Sequence, residues 1–233
     1  MSQIDILAPA AFAPVLTALG HAFDEKRTGS VRFLMGPAAG DAPESIMNRI
    51  AQPGHAQGVF LPISLMAKAE DMGKLRADTQ RHVFVTSIAA AIPDGDAVPD
   101  LSTLEALDRH LSEVSRIGVS VAASGQFLRN KLFTCLPHAT QIAEKVEEIT
   151  GSVGEALREG ALKIGFQQYS ELVAEDGLHV ITDIALEARN GTVICFATLV
   201  DAPDRQSVET FADFLTSPAA TETLTRFGLS PAV

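Results

Sequence analysis

Arg81-His82-Val83-Phe84-Val85-Thr86-Ser87-Ile88-Ala89-Ala90-Ala91-Ile92 is a twelve-residue extended run, closed by the turn-forming Pro93-Asp94-Gly95. It is longer than an ordinary strand of five or six residues. A second long apolar run spans 192–200. On either side of these runs, short apolar strands alternate with amphipathic helical stretches, which indicates an α/β fold with mainly parallel sheets. The two long runs fit as crossings between two lobes. Residues 1–84 plus 196–233 are expected to form a discontinuous lobe I and residues 85–195 an inserted lobe II, with a ligand cleft between them.

Upstream of the first run, residues 3–8 read as a strand. Residues 13–27 read as a helix, with Val15, Leu16, Leu19 and Phe23 at helical spacing and Thr28-Gly29 as its stop. Val31–Met35 and Gly58–Leu61 are strands, Pro43 opens a helix through Ile50, and residues 63–72 are helical. Downstream, Ser102 with Glu105 has the spacing of a capping box for a helix reaching Leu111. Ser115–Val119, Leu162–Phe166 and Leu178–Ile181 read as strands. Helices are expected over Gln126–Cys135, opened by the Ala122–Gly125 turn, and over 139–144, 153–159, 204–215 and 218–226, with a short one led into by Gln167–Leu172.

The 233 residues carry a formal net charge of −11 and 46% hydrophobic residues. That balance is globular and excludes disorder as the main state. The acidic surplus argues against nucleic acid as a partner, because phosphate contacts need Lys and Arg in excess. There is no Trp and one Tyr, which disfavours a sugar site built on stacked rings. No run approaches 18 apolar residues, so no membrane insertion is expected. The Met1-Ser2-Gln3 start, followed at once by a strand, lacks the features of a secretory signal. The expectation is a cytoplasmic chain; the alternative is a periplasmic one whose leader has been removed. Cys135 and Cys195 lie far apart in apolar context and read as two buried thiols, without disulfide or metal spacing.

Phosphate-loop, dinucleotide, zinc-protease and serine-hydrolase motifs are all missing, and no two histidines stand at metal-ligand spacing. Neither a metal nor a cofactor is expected. What remains is a set of small-residue loops where strands give way to helices: Ala8-Pro9-Ala10-Ala11, Gly36-Pro37-Ala38-Ala39-Gly40, Ala122-Ala123-Ser124-Gly125 and Gly165-Phe166-Gln167-Gln168. The carboxyl ends of parallel strands are the usual ligand edge of open α/β sheets. Small side chains let backbone N–H groups reach an anion there.

The order of these motifs resembles the type 2 periplasmic solute-binding proteins, in the group that contains the molybdate-binding proteins. "ILAPAAFAPVLTALGHAF" at 6–23 is similar to that group's first strand, ligand loop and helix. The segment at 45–75 looks like its helix leading to a buried strand. "SVGEALREGALKIGFQQYSELVAEDGLHVI" at 152–181 is the most specific match, and "SVETFADFLTSPAATETLTRFGLSP" at 207–231 resembles the C-terminal helices. The resemblance implies a two-lobed, usually monomeric protein that closes on a small anion. Molybdate binders of this kind place serines in the first two loops, where this chain has Ala10, Ala11, Ala38 and Ala39. The group's tyrosine near the Gly165 strand is replaced by Gln168. Losing two hydrogen bonds to a charged group, each worth about 1.5–3 kcal/mol, disfavours a metal oxyanion. Asp41, close after the second loop, would oppose a dianion too.

These residues point to a small organic anion, a carboxylate, held by backbone donors near Ala10, Ala11, Ala38, Ala39, Gly125 and Gln126 and by Ser87, Ser124, Gln167 and Gln168, with Thr86 also in reach at the crossing. The alternative is an isomerase acting on a small unsaturated di- or tricarboxylate, since aconitate isomerase looks like a member of the same fold group. That chemistry needs a charge clamp, for which Arg81 and Arg129 are candidates, and a base, for which Tyr169, Glu171 and His82 are candidates.

Overall fold

The computed structural model describes residues 3–24, 30–52, 54 and 56–232. Its strands, in chain order, are β1 Gln3–Pro9, β2 Ser30–Gly36, β3 Gly58–Pro62, β4 Arg81–Thr86, β5 Ile88–Pro93, β6 Ile117–Ser120, β7 Val146–Ile149, β8 Ile164–Gln168, β9 Leu178–Ile181, β10 Thr192–Thr198 and β11 Ser230–Pro231. The helices are α1 Ala13–Asp24, α2 Ile46–Ile50, α3 Ile63–Asp71, α4 Leu104–Glu113, α5 Ala123–Phe127, α6 Ala139–Ala143, α7 Val153–Arg158, α8 Tyr169–Leu172, α9 Leu186–Arg189, α10 Arg205–Leu215 and α11 Pro218–Arg226. The chain divides into two compact units, Met1–Thr86 with Thr192–Val233, and Ser87–Gly191.

The first unit is built on a six-stranded sheet ordered β11-β4-β10-β3-β1-β2. β1 runs parallel to β2 and β3, while β10 is antiparallel to both β3 and β4. β4 therefore runs with β1–β3, and the carboxyl ends of these four strands share one edge. Period-two burial sorts the side chains between two cores. Ile4, Ile6, Phe60 and Phe196 face α1, α10 and α11, while Leu7, Val59, Leu61 and Cys195 join Ile46, Ile50 and Met66 on the opposite face. Phe211 of α10 is fully buried at the centre of the first core, edge-on to Phe23, Phe60 and Phe196.

The second unit holds a five-stranded sheet ordered β7-β6-β8-β5-β9. β6 is parallel to β7 and β8, and β5 is antiparallel to β8 and β9. Both sheets follow one plan: second, first and third strand, an antiparallel insert, then the fourth. The insert β5 shows why its sequence is so plain. Ile88, Ala90 and Ile92 pack into one core, Ala89 and Ala91 into the other with Val153 and Leu157 of α7. Methyl side chains keep that helix close to the sheet.

Several local expectations change. The run at 81–92 is two strands parted at Ser87, each paired within its own sheet. The expected boundary at 195/196 falls inside β10, all of whose residues pair in the first sheet. α2 starts at Ile46 rather than Pro43, because the Ser45 hydroxyl accepts the Asn48 N–H. Thr103, not Ser102, caps α4 by accepting the Ala106 N–H; the Ser102 hydroxyl is taken by Asp100. α1 ends at Asp24, and the expected stop at Thr28-Gly29 lies outside the described residues. β7, α9 and the two-residue β11 have no counterpart among the expected elements.

Candidate functional site

Register builds the first edge. Pro9 of β1 lies opposite Gly36 of β2, so the turn at Ala10–Phe12 stands beside the loop at 37–40. Gly36 is required there, because an added Cβ would overlap the Glu44 carbonyl oxygen. The loop is tied down by Ile46 N–H donating to Pro37 O at 2.8 Å, and by Asn48 Nδ2 donating to Gly40 O at 3.1 Å and Ala42 O at 2.9 Å. Gly40 takes a φ of +122°, which a residue with a side chain rarely adopts. Ala10 and Ala39 are exposed, Ala11 and Ala38 half-buried, and Asp41 is exposed. Apart from the backbone, this stretch of the edge has no hydrogen-bonding group until Asp41.

The second edge gathers at the ends of β6, β8 and the start of β5. Val119 lies opposite Phe166, so the loop after β6 and the loop after β8 are neighbours. Tyr169 N–H donates to Ser87 O at 2.9 Å, bringing Ser87 to the end of β8. Ser120 Oγ accepts the Ala122 N–H at 3.1 Å and shapes the entry to α5. Ala122 is the capping residue and makes no side-chain bond, so Ser124 does not cap this helix. Ser124 and Gly125 are buried, and Gly125 sits directly against Ser120 at the end of β6. Gln168 is half-buried at the last position of β8.

Two expected ligand groups are engaged inside the unit. Gln167 is buried on the face of β8 turned to α7; its Oε1 accepts the Val153 N–H at 3.0 Å and its Nε2 donates to Glu171 at 2.9 Å. Gln126 Nε2 donates to Glu148 on β7 at 2.6 Å, and its Oε1 accepts from Asn130. Arg129 pairs with the same Glu148 at 3.1 Å. The other clamp candidate is misplaced by strand direction. Arg81 opens β4, so it and His82 stand at the end opposite the ligand edge, where Arg81 pairs with Asp213 of α10 at 3.5 Å. Tyr169 packs its ring into the α7 core.

Glu171 is the exception among the candidate bases. It is the third residue of α8 and follows Ser170, whose buried hydroxyl has no hydrogen-bond partner among the described residues. Burial pushes the Glu171 carboxyl up from 4.5 to about 7, against the smaller opposite pull of the Gln167 amide and the Gln168 N–H. Among the described residues it makes no ion pair. The folded chain holds this proton where the unfolded chain has lost it, so stability is full below pH 4.5 and declines as pH rises to about 7. At 1.36 kcal/mol per pKa unit, the loss is about 3 kcal/mol. Glu171→Gln should abolish that decline, leaving the variant more stable than the parent at pH 8 and similar to it at pH 4. Urea unfolding at the two pH values checks this; equal differences at both would refute it.

The thiols differ from expectation. Cys195 is buried on β10, and burial pushes its thiol up to about 11, but Cys135 is exposed at the end of a short turn. Among the described residues no group of three metal-ligating side chains is assembled, and no helix is long and apolar enough to cross a membrane.

Known proteins share this architecture. At 28% identity over 209 residues, covering 89% of this chain and 80% of the other, the sequence is similar to an aconitate isomerase from a Pseudomonas species. The fold superposes on the substrate-binding domain assigned to a molybdenum ABC transporter of Clostridium difficile, with a TM-score of 0.80 at 15% identity and 99% coverage of both chains. The periplasmic molybdate-binding protein of Azotobacter vinelandii matches with a TM-score of 0.73 at 14% identity, over 99% of this chain and 100% of that one. The profile of the bacterial extracellular solute-binding proteins matches residues 4–230. The two sheets with their antiparallel inserts, and a sequence match running almost from end to end, establish that the chain belongs to the bacterial extracellular solute-binding protein family.

Proposed function

We propose that this protein binds a small organic anion, a carboxylate, at the carboxyl ends of its parallel strands. The observation that carries the reading is the composition of those ends. Alanines and glycines leave backbone N–H groups accessible, and the side chains that join them, Ser87, Ser124 and Gln168, are neutral. An amide offers both donor and acceptor, which matches a carboxylate or carbonyl. The alanine loops lack the hydroxyls that would serve a metal oxyanion, although two structural neighbours are named for molybdenum or molybdate. Family membership supports the periplasmic alternative over the cytoplasmic reading of the first residues. The acidic charge and the family favour a monomer.

Calorimetry against a panel of di- and tricarboxylates, molybdate, tungstate and sulfate tests the proposal. A carboxylate should bind, and molybdate and tungstate should not reach sub-micromolar affinity. Since Ser124 does not cap α5, Ser124→Ala should leave the unliganded melting temperature almost unchanged. It should weaken the carboxylate tenfold or more, the value of one hydrogen bond to a charged group, about 1.5–3 kcal/mol. Tight molybdate binding would overturn the reading, and an unchanged affinity would remove Ser124 from the site. A second reading, isomerisation of an unsaturated di- or tricarboxylate, is favoured by the likeness to an aconitate isomerase and by a carboxyl poised near neutrality at this edge.

A further inference from the structure

We propose, building on the organic-anion reading, that Glu171 is the proton-transfer residue of the site, taking a proton from an allylic carbon of a bound unsaturated carboxylic acid and returning it to the far end of the same three-carbon system. Position comes first. β6 and β8 are parallel neighbours, so α8, which starts where β8 ends, stands on the same edge as the Ser124 loop. Orientation comes next. The Val153 N–H donates to Gln167 Oε1, which leaves the amide only one way round and directs its Nε2 at Glu171. The Gln168 N–H is a second donor to the carboxyl. Two neutral donors fix the group without the cation that would lock it in the ionised state.

The surroundings carry few competing charges. β5 and β8 present no titratable side chain. α7 contributes Glu155 and Arg158, β9 contributes His179, and the segment after α8 contributes Glu175 and Asp176. Arg158 is already paired with Glu175 at 2.9 Å, and Glu175 also accepts from Ser152 Oγ at 2.7 Å. Tyr169 of α8 lies against the α7 core. A carboxyl so placed, pushed up to about 7 by burial, titrates close to neutral pH, which suits a group that must both accept and donate.

The step balances without a co-reactant. The ionised Glu171 accepts the allylic proton; the C–H electron pair spreads through the C=C bond into the substrate carboxylate, forming a dienolate. Protonated Glu171 then donates to the distal carbon, the double bond shifts by one position, and Glu171 is regenerated. Backbone N–H groups at the strand ends stabilise the charge gathered on the carboxylate oxygens. Gln167 is a positioning residue in this scheme.

Proton NMR in D2O with cis-aconitate and trans-aconitate as probes tests the proposal. The wild-type protein should incorporate deuterium at the allylic carbons and interconvert the probes, with a rate that rises with pH and levels off above about 7. Glu171→Gln should lose at least about 100-fold of that rate while still showing a probe-induced thermal shift. Gln167→Leu removes a donor that lowers the Glu171 pKa, so it should move the pH midpoint upward, a change that mere loosening of the fold would not produce. Binding of the probes without deuterium exchange, or undiminished exchange in Glu171→Gln, would overturn the proposal and leave anion binding intact. Failure to bind either probe or any acid of the calorimetric panel would overturn both.

Discussion

Gly125→Ala should destabilise the protein by about 3 kcal/mol or more, at the top of the range for forced overpacking. Ordinary helix propensity predicts the reverse sign, since Ala is preferred to Gly by about 1 kcal/mol in a helix. Space decides the outcome. A Cβ at position 125 would overlap the Ser120 carbonyl oxygen and stand 2.7 Å from its carbon and 2.8 Å from the Ser120 nitrogen. All three are backbone atoms of the strand end on which α5 rests, so relief requires moving the helix away from β6. Gly118→Ala is the useful contrast: there the added Cβ meets the flexible Leu162 side chain, and a smaller loss should follow. Urea unfolding of both variants gives the comparison. A Gly125→Ala protein within about 1 kcal/mol of the parent would contradict the close seating of α5, on which the placement of Ser124 depends.

Phe211→Ala should cost about 3–5 kcal/mol, the usual price of emptying a large aromatic site. The side chain is fully buried, with ring centroids 5.2 Å from Phe23, 5.6 Å from Phe196 and 6.2 Å from Phe214. Edge-to-face partners add to the lost burial. The void would open between α10 and the first sheet, where rigid rings on every side cannot collapse into it. Phe211→Leu keeps part of the volume and should lose markedly less. Thermal and urea unfolding of the pair would show it; near-equal stability of the Ala and Leu variants would mean that the aromatic cluster yields more readily than its geometry implies.

The alternation of strands and helices, the loop alanines and the two C-terminal helices were legible because each signal is local. Other features depend on neighbours in space. β7 escapes notice because Glu147-Glu148 interrupts its apolar pattern, yet β6 supplies its hydrogen bonds and Arg116 pairs with Glu147 at 2.6 Å. Gln167 and Gln168 are identical in sequence terms and separate only when the pleat turns one toward α7. Arg81 and His82 lie close to the ligand edge in sequence and far from it along the strand, because direction within the sheet decides which end of β4 meets that edge. Glu171 is an unremarkable acidic residue until burial and the Gln167 amide give it a setting.

The seat of β10 at the middle of the first sheet sets an order of events during synthesis. β10 lies between β3 and β4, yet it leaves the ribosome only after the whole of Ser87–Gly191. The amino-terminal portion therefore cannot close its sheet while it is being made, whereas the inserted unit has all five of its strands by Ile181. Folding that proceeds from the amino terminus cannot complete this sheet until the inserted unit has been made. The half-built sheet waits with an open row of backbone groups on β3 and β4, an edge inviting mispairing in the nascent chain. Closure over so long a separation in sequence gives this region a high contact order, and contacts of that kind form slowly.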